Sequence, residues 1–141
     1  MWHEDGTLME LQFSVATVPV VAIGWLDEHH AFRRGNVGQA VIDKLDAMYT
    51  RDVANLTRGI HGCPFCNGID IWRPLSAGRR LLGHAELWVP DVGGDKIYAA
   101  PDLVIHYCAE HEYCPPIEFV ESVMSFDLSC DWYSTQHGAT S

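Results

Sequence analysis

The sequence predicts an α+β fold, a small and mainly antiparallel sheet with two to four helices, and three observations carry that expectation. Ala85 to Val89 and Lys96 to Ala99 read as strands flanking the turn-forming Asp91-Val92-Gly93-Gly94-Asp95, which is the pattern of a hairpin. From Asn36 the period changes, and Val37, Ala40, Val41, Leu45 and Met48 recur at helical spacing. Leu103, Val104, Tyr107 and Cys108 give a second, partly helical apolar face that ends before Pro115-Pro116.

The other elements follow in chain order. Val15 to Leu26 is rich in Val and Ile and reads as a buried strand, with Pro19 suggesting an edge or a bulge. Asp27 to Gly35 is a polar turn carrying His29, His30, Arg33 and Arg34, and Asn36 suits the N-cap of the first helix. Gly59 to Gly68 is a loop punctuated by Gly, Pro and Cys. Ile69 to Trp72 reads as a short strand, and Arg73 to Gly83 as a basic, irregular connection containing Pro74 and Gly78. Pro101 and Asp102 suit a helix first turn. Pro116 opens a further helix carrying Phe119, Val120 and Val123. The tail, residues 134–141, is small and polar and is expected to be flexible.

Composition bounds the function. The chain has 141 residues, 48% hydrophobic and 20% charged, which suits one globular domain and excludes a disordered chain or a coiled coil. Lys and Arg number 9 against 19 Asp and Glu, a formal charge of -10. Phosphate backbones need a cationic surface, so nucleic acid is a disfavoured partner. The nearly apolar run from Val15 to Leu26 is interrupted by Pro19 and Gly24 and is too short for a membrane span. The acidic start Met1-Trp2-His3-Glu4-Asp5 lacks the cationic stretch of a secretory signal. Five cysteines, one tight pair among them, suit a reduced metal-binding set, and a cytoplasmic location is expected.

The sharpest motif is His61-Gly62-Cys63-Pro64-Phe65-Cys66-Asn67-Gly68. Two cysteines separated by two residues in a Gly-flanked turn can aim both sulfurs at one point, as a zinc knuckle requires. A redox pair would open a helix, whereas Asn67-Gly68 marks a turn. About 40 positions later, His106-Tyr107-Cys108-Ala109-Glu110-His111 places two histidines within the spacing of structural zinc sites. Two cysteinates and two neutral imidazoles form a tetrahedral shell suited to Zn2+. Five positions on a helix rotate a side chain by about 140°, so both histidines reach one ion only where the last turn loosens near His111. The sequence thus orders knuckle, hairpin and helix into a treble-clef-like zinc element within a single domain over residues 1–133. Cys114 is an alternative to His111, with His61 and His84 as further substitutes. Cys108 points to another side of the helix, and Cys130 reads as a buried thiol.

At these residues the chain resembles a family of short, largely uncharacterised bacterial proteins. The matching segments are Gly24-Trp25-Leu26-Asp27, Arg58 through Cys66, and Tyr98 through Phe119. In the last, the pattern Y-x-A-P-x-L-x-x-H-Y-x-x-x-H-x-Y-x-P-P-x-x-F is carried by Tyr98, Ala100, Pro101, Leu103, His106, Tyr107, His111, Tyr113, Pro115, Pro116 and Phe119. The resemblance spans roughly residues 18 to 124. Cys108 and Cys114 occupy variable positions of that pattern, so the resemblance implies His106 and His111 as ligands beside Cys63 and Cys66. It implies no activity.

Three functional classes remain. The first is a protein-binding or regulatory module with a structural zinc, its acidic surface and aromatics such as Trp2, Trp72 and Trp132 meeting a partner with a basic surface. The second is a zinc-dependent hydrolase with three protein ligands and an open metal position. There Glu110 or Glu86 would act as general base and His84 or His61 would stabilise charge. The HExxH pattern and the deaminase signature are both absent. The third is nucleic-acid binding through Arg33, Arg34, Arg51, Arg58, Arg73, Arg79 and Arg80, which are scattered over separate loops.

Overall fold

The computed structural model describes residues 1–9, 18–76 and 78–140, and its central strand owes its position to complete burial. That strand, β5 (Ile97–Pro101), is buried at every residue. It pairs antiparallel with β4 (Glu86–Pro90) in the register Glu86↔Pro101 to Pro90↔Ile97, closing the hairpin expected around Asp91–Asp95. On its other side it pairs parallel with β1 (Val20–Ala22), so the sheet order is β1-β5-β4. The outer side of β1 is covered by residues 7–9, where Ala22 donates to the Thr7 carbonyl and Met9 to the Val20 carbonyl. The strand expected from Val15 to Leu26 is therefore shorter, and its first three residues, Val15, Ala16 and Thr17, lie outside the described residues.

Alternation along β4 and β5 sorts side chains onto two faces, as the period of an extended chain requires. Leu87, Val89, Tyr98 and Ala100 join the larger cluster beneath the helices, whereas Trp88, Ile97 and Ala99 join a smaller one with Val20, Ala54 and Ala139. Burial on both faces explains why β5 reads as a continuous apolar run.

The first helix, α1, runs over Gln39–Arg51 and buries Val41, Ile42, Leu45, Met48 and Tyr49. Asn36 does not cap it directly. Gly38 is the N-cap residue, and the Asn36 side chain, two residues before it, accepts from the Gly38 amide. The helix α2 (Val104–Glu110) follows β5 almost directly, and α3 (Ile117–Ser125) begins behind Pro116 and buries Phe119 and Val123.

A further expectation differs from the structure. The connection from Arg73 to Gly83 contains a second antiparallel ribbon, β2 (Trp72–Leu75) with β3 (Gly78–Leu81), and the strand expected at Ile69–Trp72 begins only at its last residue. Its strands have no buried residue, so the alternation that reveals strands is missing. The tail makes a 3-10 turn over Ser134–His137 and buries Ala139; Ser141 lies outside the described residues. Asp52 accepts from the Ser134 amide and hydroxyl, and Arg51 donates to the carbonyls of Leu128 and Cys130. These hydrogen bonds come from the end of α1.

Phe119 is fully buried with its ring edge-on to Tyr98 at 5.5 Å. Phe119→Ala is expected to lower unfolding free energy by about 3–5 kcal/mol, read as a shifted denaturation midpoint with an unchanged slope.

Candidate metal centre

The knuckle is built by its own backbone. The Cys63 carbonyl accepts from the amides of Cys66 and Gly68, and Cys63 and Ile69 form a bridge that closes the loop. Pro64–Cys66 make one 3-10 turn, which ends at Asn67 in the left-handed region (φ 56°). This arrangement faces both sulfurs the same way. A Cβ at Gly62 would overlap the Gly68 carbonyl, so only glycine permits the loop to close this tightly.

The knuckle is also tied to the sheet. His61 donates its amide to the Gly83 carbonyl at 2.7 Å, and Gly83 donates to Asp102 Oδ1 at 2.7 Å. Gly83 has φ +95°, and a Cβ there would overlap the His61 carbonyl. Asp102, next after β5 and only 1% exposed, also accepts from Tyr49 Oη at 2.8 Å. One buried carboxylate thus links α1, the strand layer and the knuckle's anchor. Sequence reading treated Asp102 only as a helix-start residue, because its partners lie far away in the chain.

The helix end supplies the other two donors. His106 lies inside α2, while His111 is its C-cap residue with φ -120° and ψ 12°. Glu112 follows with φ 54°, and Tyr107 accepts from the amides of both His111 and Tyr113. The helix therefore ends where the spacing of the two histidines requires it to loosen, and both rings turn towards the sulfurs.

Cys63 Sγ lies 3.4 Å from His111 Nε2, and Cys66 Sγ lies 3.4 Å from His111 Nε2 and 3.6 Å from His106 Nε2. The two Nε2 atoms are 3.1 Å apart, and all four donors lie within 4.8 Å of one another. Zinc bonds of about 2.3 Å to sulfur and 2.0–2.1 Å to nitrogen imply tetrahedral edges of roughly 3.6 Å (S to N) and 3.4 Å (N to N). The observed separations match that shell to within a few tenths of an ångström, so the donor set fits a zinc site. Phe65 packs on His111 at 5.3 Å and on Tyr107 at 5.7 Å, placing apolar rings around the group.

The remaining candidates lie elsewhere. Cys114 Sγ sits 3.6 Å from an Arg33 nitrogen, and Cys108 is a buried thiol pushed up to about 12 by desolvation. Cys130 is only partly buried, 3.9 Å from an Arg51 nitrogen. His61 and His84 line a cavity beside the knuckle, together with Glu86, and do not belong to the donor group; Glu110 is exposed at the end of α2. Of the three tryptophans named for a partner surface, only Trp72 is exposed, at 48%. Trp2 stacks on His30 and Trp132 on His137. The arginines are engaged at separate places: Arg73 pairs with Asp46, Arg51 holds the tail, Arg34 covers Phe32 and Arg80 covers Tyr49.

In the metal-free chain, burial holds both kinds of ligand in their neutral forms. Desolvation raises the Cys63 thiol to about 11, and burial together with the neighbouring His111 lowers His106 from 6.5 to about 4. Desolvation lowers His111 as well. The unfolded chain takes up a proton near pH 6.5 that the folded chain refuses until about pH 4, so protonation favours unfolding. The metal-stripped protein is thus expected to keep this stabilisation above pH 6.5 and to lose it as pH falls towards 4. Its melting temperature across that window measures the effect, and His106→Ala should give a shallower slope.

Comparison with known proteins agrees with an uncharacterised family. No curated protein and no solved structure matches the chain. A family model does match residues 1–124, and the chain accordingly belongs to the family described as Domain of unknown function (DUF7919).

Proposed function

We propose that this is a small zinc protein whose ion is structural, Cys63, Cys66, His106 and His111 holding it, and whose acidic exterior serves as a protein-binding or regulatory surface. The observation that carries the reading is the meeting of all four donors within 4.8 Å of one another from segments about 40 residues apart. A catalytic zinc keeps one position for water and uses three protein ligands, whereas four side chains stand ready here. Zinc supplies a redox-inert crosslink, worth an apparent ~10–16 kcal/mol in zinc-finger peptides, against a usual net domain stability of roughly 5–15 kcal/mol. The ion would clamp the knuckle to the end of α2.

A formal charge of -10 suits a partner with a basic surface and a salt-dependent encounter. The five cysteines are all free, which suits a reducing compartment such as the cytoplasm. Among the described residues no helix is long and apolar enough to cross a membrane.

Metal analysis of the purified protein is expected to give one zinc per chain. Stripping it with a chelator should lower the melting temperature by tens of degrees, and restored zinc should reverse the change. Cys63→Ser is expected to reproduce the stripped state. Full thermal stability without metal would defeat the structural role.

A further inference from the structure

Beside the knuckle lies a cavity of about 630 Å³, bounded by the N-terminal residues, the turn after β1, the knuckle and the connection from β3 to β4. This volume is in the range of sites for small organic ligands. Acidic groups predominate in it. Asp27, Glu28, Glu86 and Asp102 line it beside Met1 and the histidines His3, His61 and His84, while among the described residues no lysine or arginine does. Trp25, Leu26 and Leu103 supply apolar wall.

The acidic groups are fixed in place. Glu86 Oε1 accepts from Asn55 Nδ2 at 3.1 Å and from Trp88 Nε1 at 2.9 Å. His84 stands two positions before Glu86, a spacing that puts both on one face of an extended chain. The buried His84 Nδ1 has no hydrogen-bond partner and lies 3.7 Å from Asp102 Oδ2. Desolvation and the negative charge of Asp102 hold the Glu86 carboxyl above its ordinary range. His3 is the positive neighbour that opposes this shift, and a positively charged ligand would add to it.

A metal ion is a poor candidate for that ligand. Among the described residues, the Cys63, Cys66, His106 and His111 group alone gathers donors as an ion requires, and the cavity's side chains form no second group. An organic cation needs no such convergence, because it brings its own N–H donors and an apolar body. Aromatic faces such as Trp25 attract cations as well as burying hydrocarbon.

We propose that this cavity binds a small organic amine, its ammonium group against Glu86 in front of the His84 and Asp102 pair and its apolar body against Trp25. The claim is independent of what the metal centre does.

The test uses the full, metal-loaded chain and three probes that share a phenylethyl body: 2-phenylethylamine, 2-phenylethanol and 3-phenylpropanoate. Calorimetric titration near neutral pH is expected to show the amine binding at least roughly ten-fold more tightly than either counterpart. Glu86→Gln keeps an acceptor oxygen for Asn55 and Trp88, and should bring the amine down to the level of the alcohol. On the unaltered chain the amine should shift the ring-proton NMR signals of His84 and His61 more than those of His137, which does not line the cavity, and this needs no variant to fold. Equal or tighter binding of the alcohol or the propanoate would overturn the proposal. So would no amine binding at millimolar concentration, undiminished binding by Glu86→Gln, or shifts confined to histidines outside the cavity.

Discussion

Two thiols and two imidazoles pressed within 4.8 Å of one another form an arrangement that a protein gains little from unless a cation lies among them. Without one, burial drives Cys63 and His106 to their neutral forms. With one, the same low polarity strengthens every ligand bond, and the thiols release their protons to the solvent. This constraint accounts for the tight Gly62 turn, the left-handed Asn67, the helix that stops at Glu110 and the positive φ of Glu112. Each of these features aims a donor at one point.

Around that point the architecture is a small sheet with unequal faces. The larger face packs under α1, α2 and α3, and the smaller is covered by the N- and C-terminal segments. Asp102 is the polar hinge of this arrangement. Its carboxylate takes the Tyr49 hydroxyl from α1 and the Gly83 amide from the knuckle's anchor, so the core and the metal centre are mechanically continuous. A buried carboxylate with several donors is costly to disturb, because losing any one of them strands a charge away from water.

The same region carries the second chemically distinct place on the molecule. The knuckle forms part of the wall of the acidic cavity, with Gly62 and Pro64 on one side and His84 and Glu86 on another. The donor group and the cavity therefore share backbone while using different side chains.

What the chain alone determined is local or carried by motif. The knuckle spacing, the two histidines, the helical period of α1, the hairpin of β4 and β5 and the proline that opens α3 each lie within a few consecutive turns of chain. Their physics is short-ranged: side-chain period, turn chemistry and the bite of a metal ion. Tertiary structure decided the rest. The parallel pairing of β1 with β5 joins strands far apart in the chain, the exposed β2 and β3 ribbon has no buried face to announce it, and the tail is docked by Arg51 and Asp52. Asp102 and Glu86 acquired their meaning only when distant donors and acceptors closed around them. Local pattern can state which residues are able to bind, cap or alternate, but burial and charge environment are properties of the assembled interior.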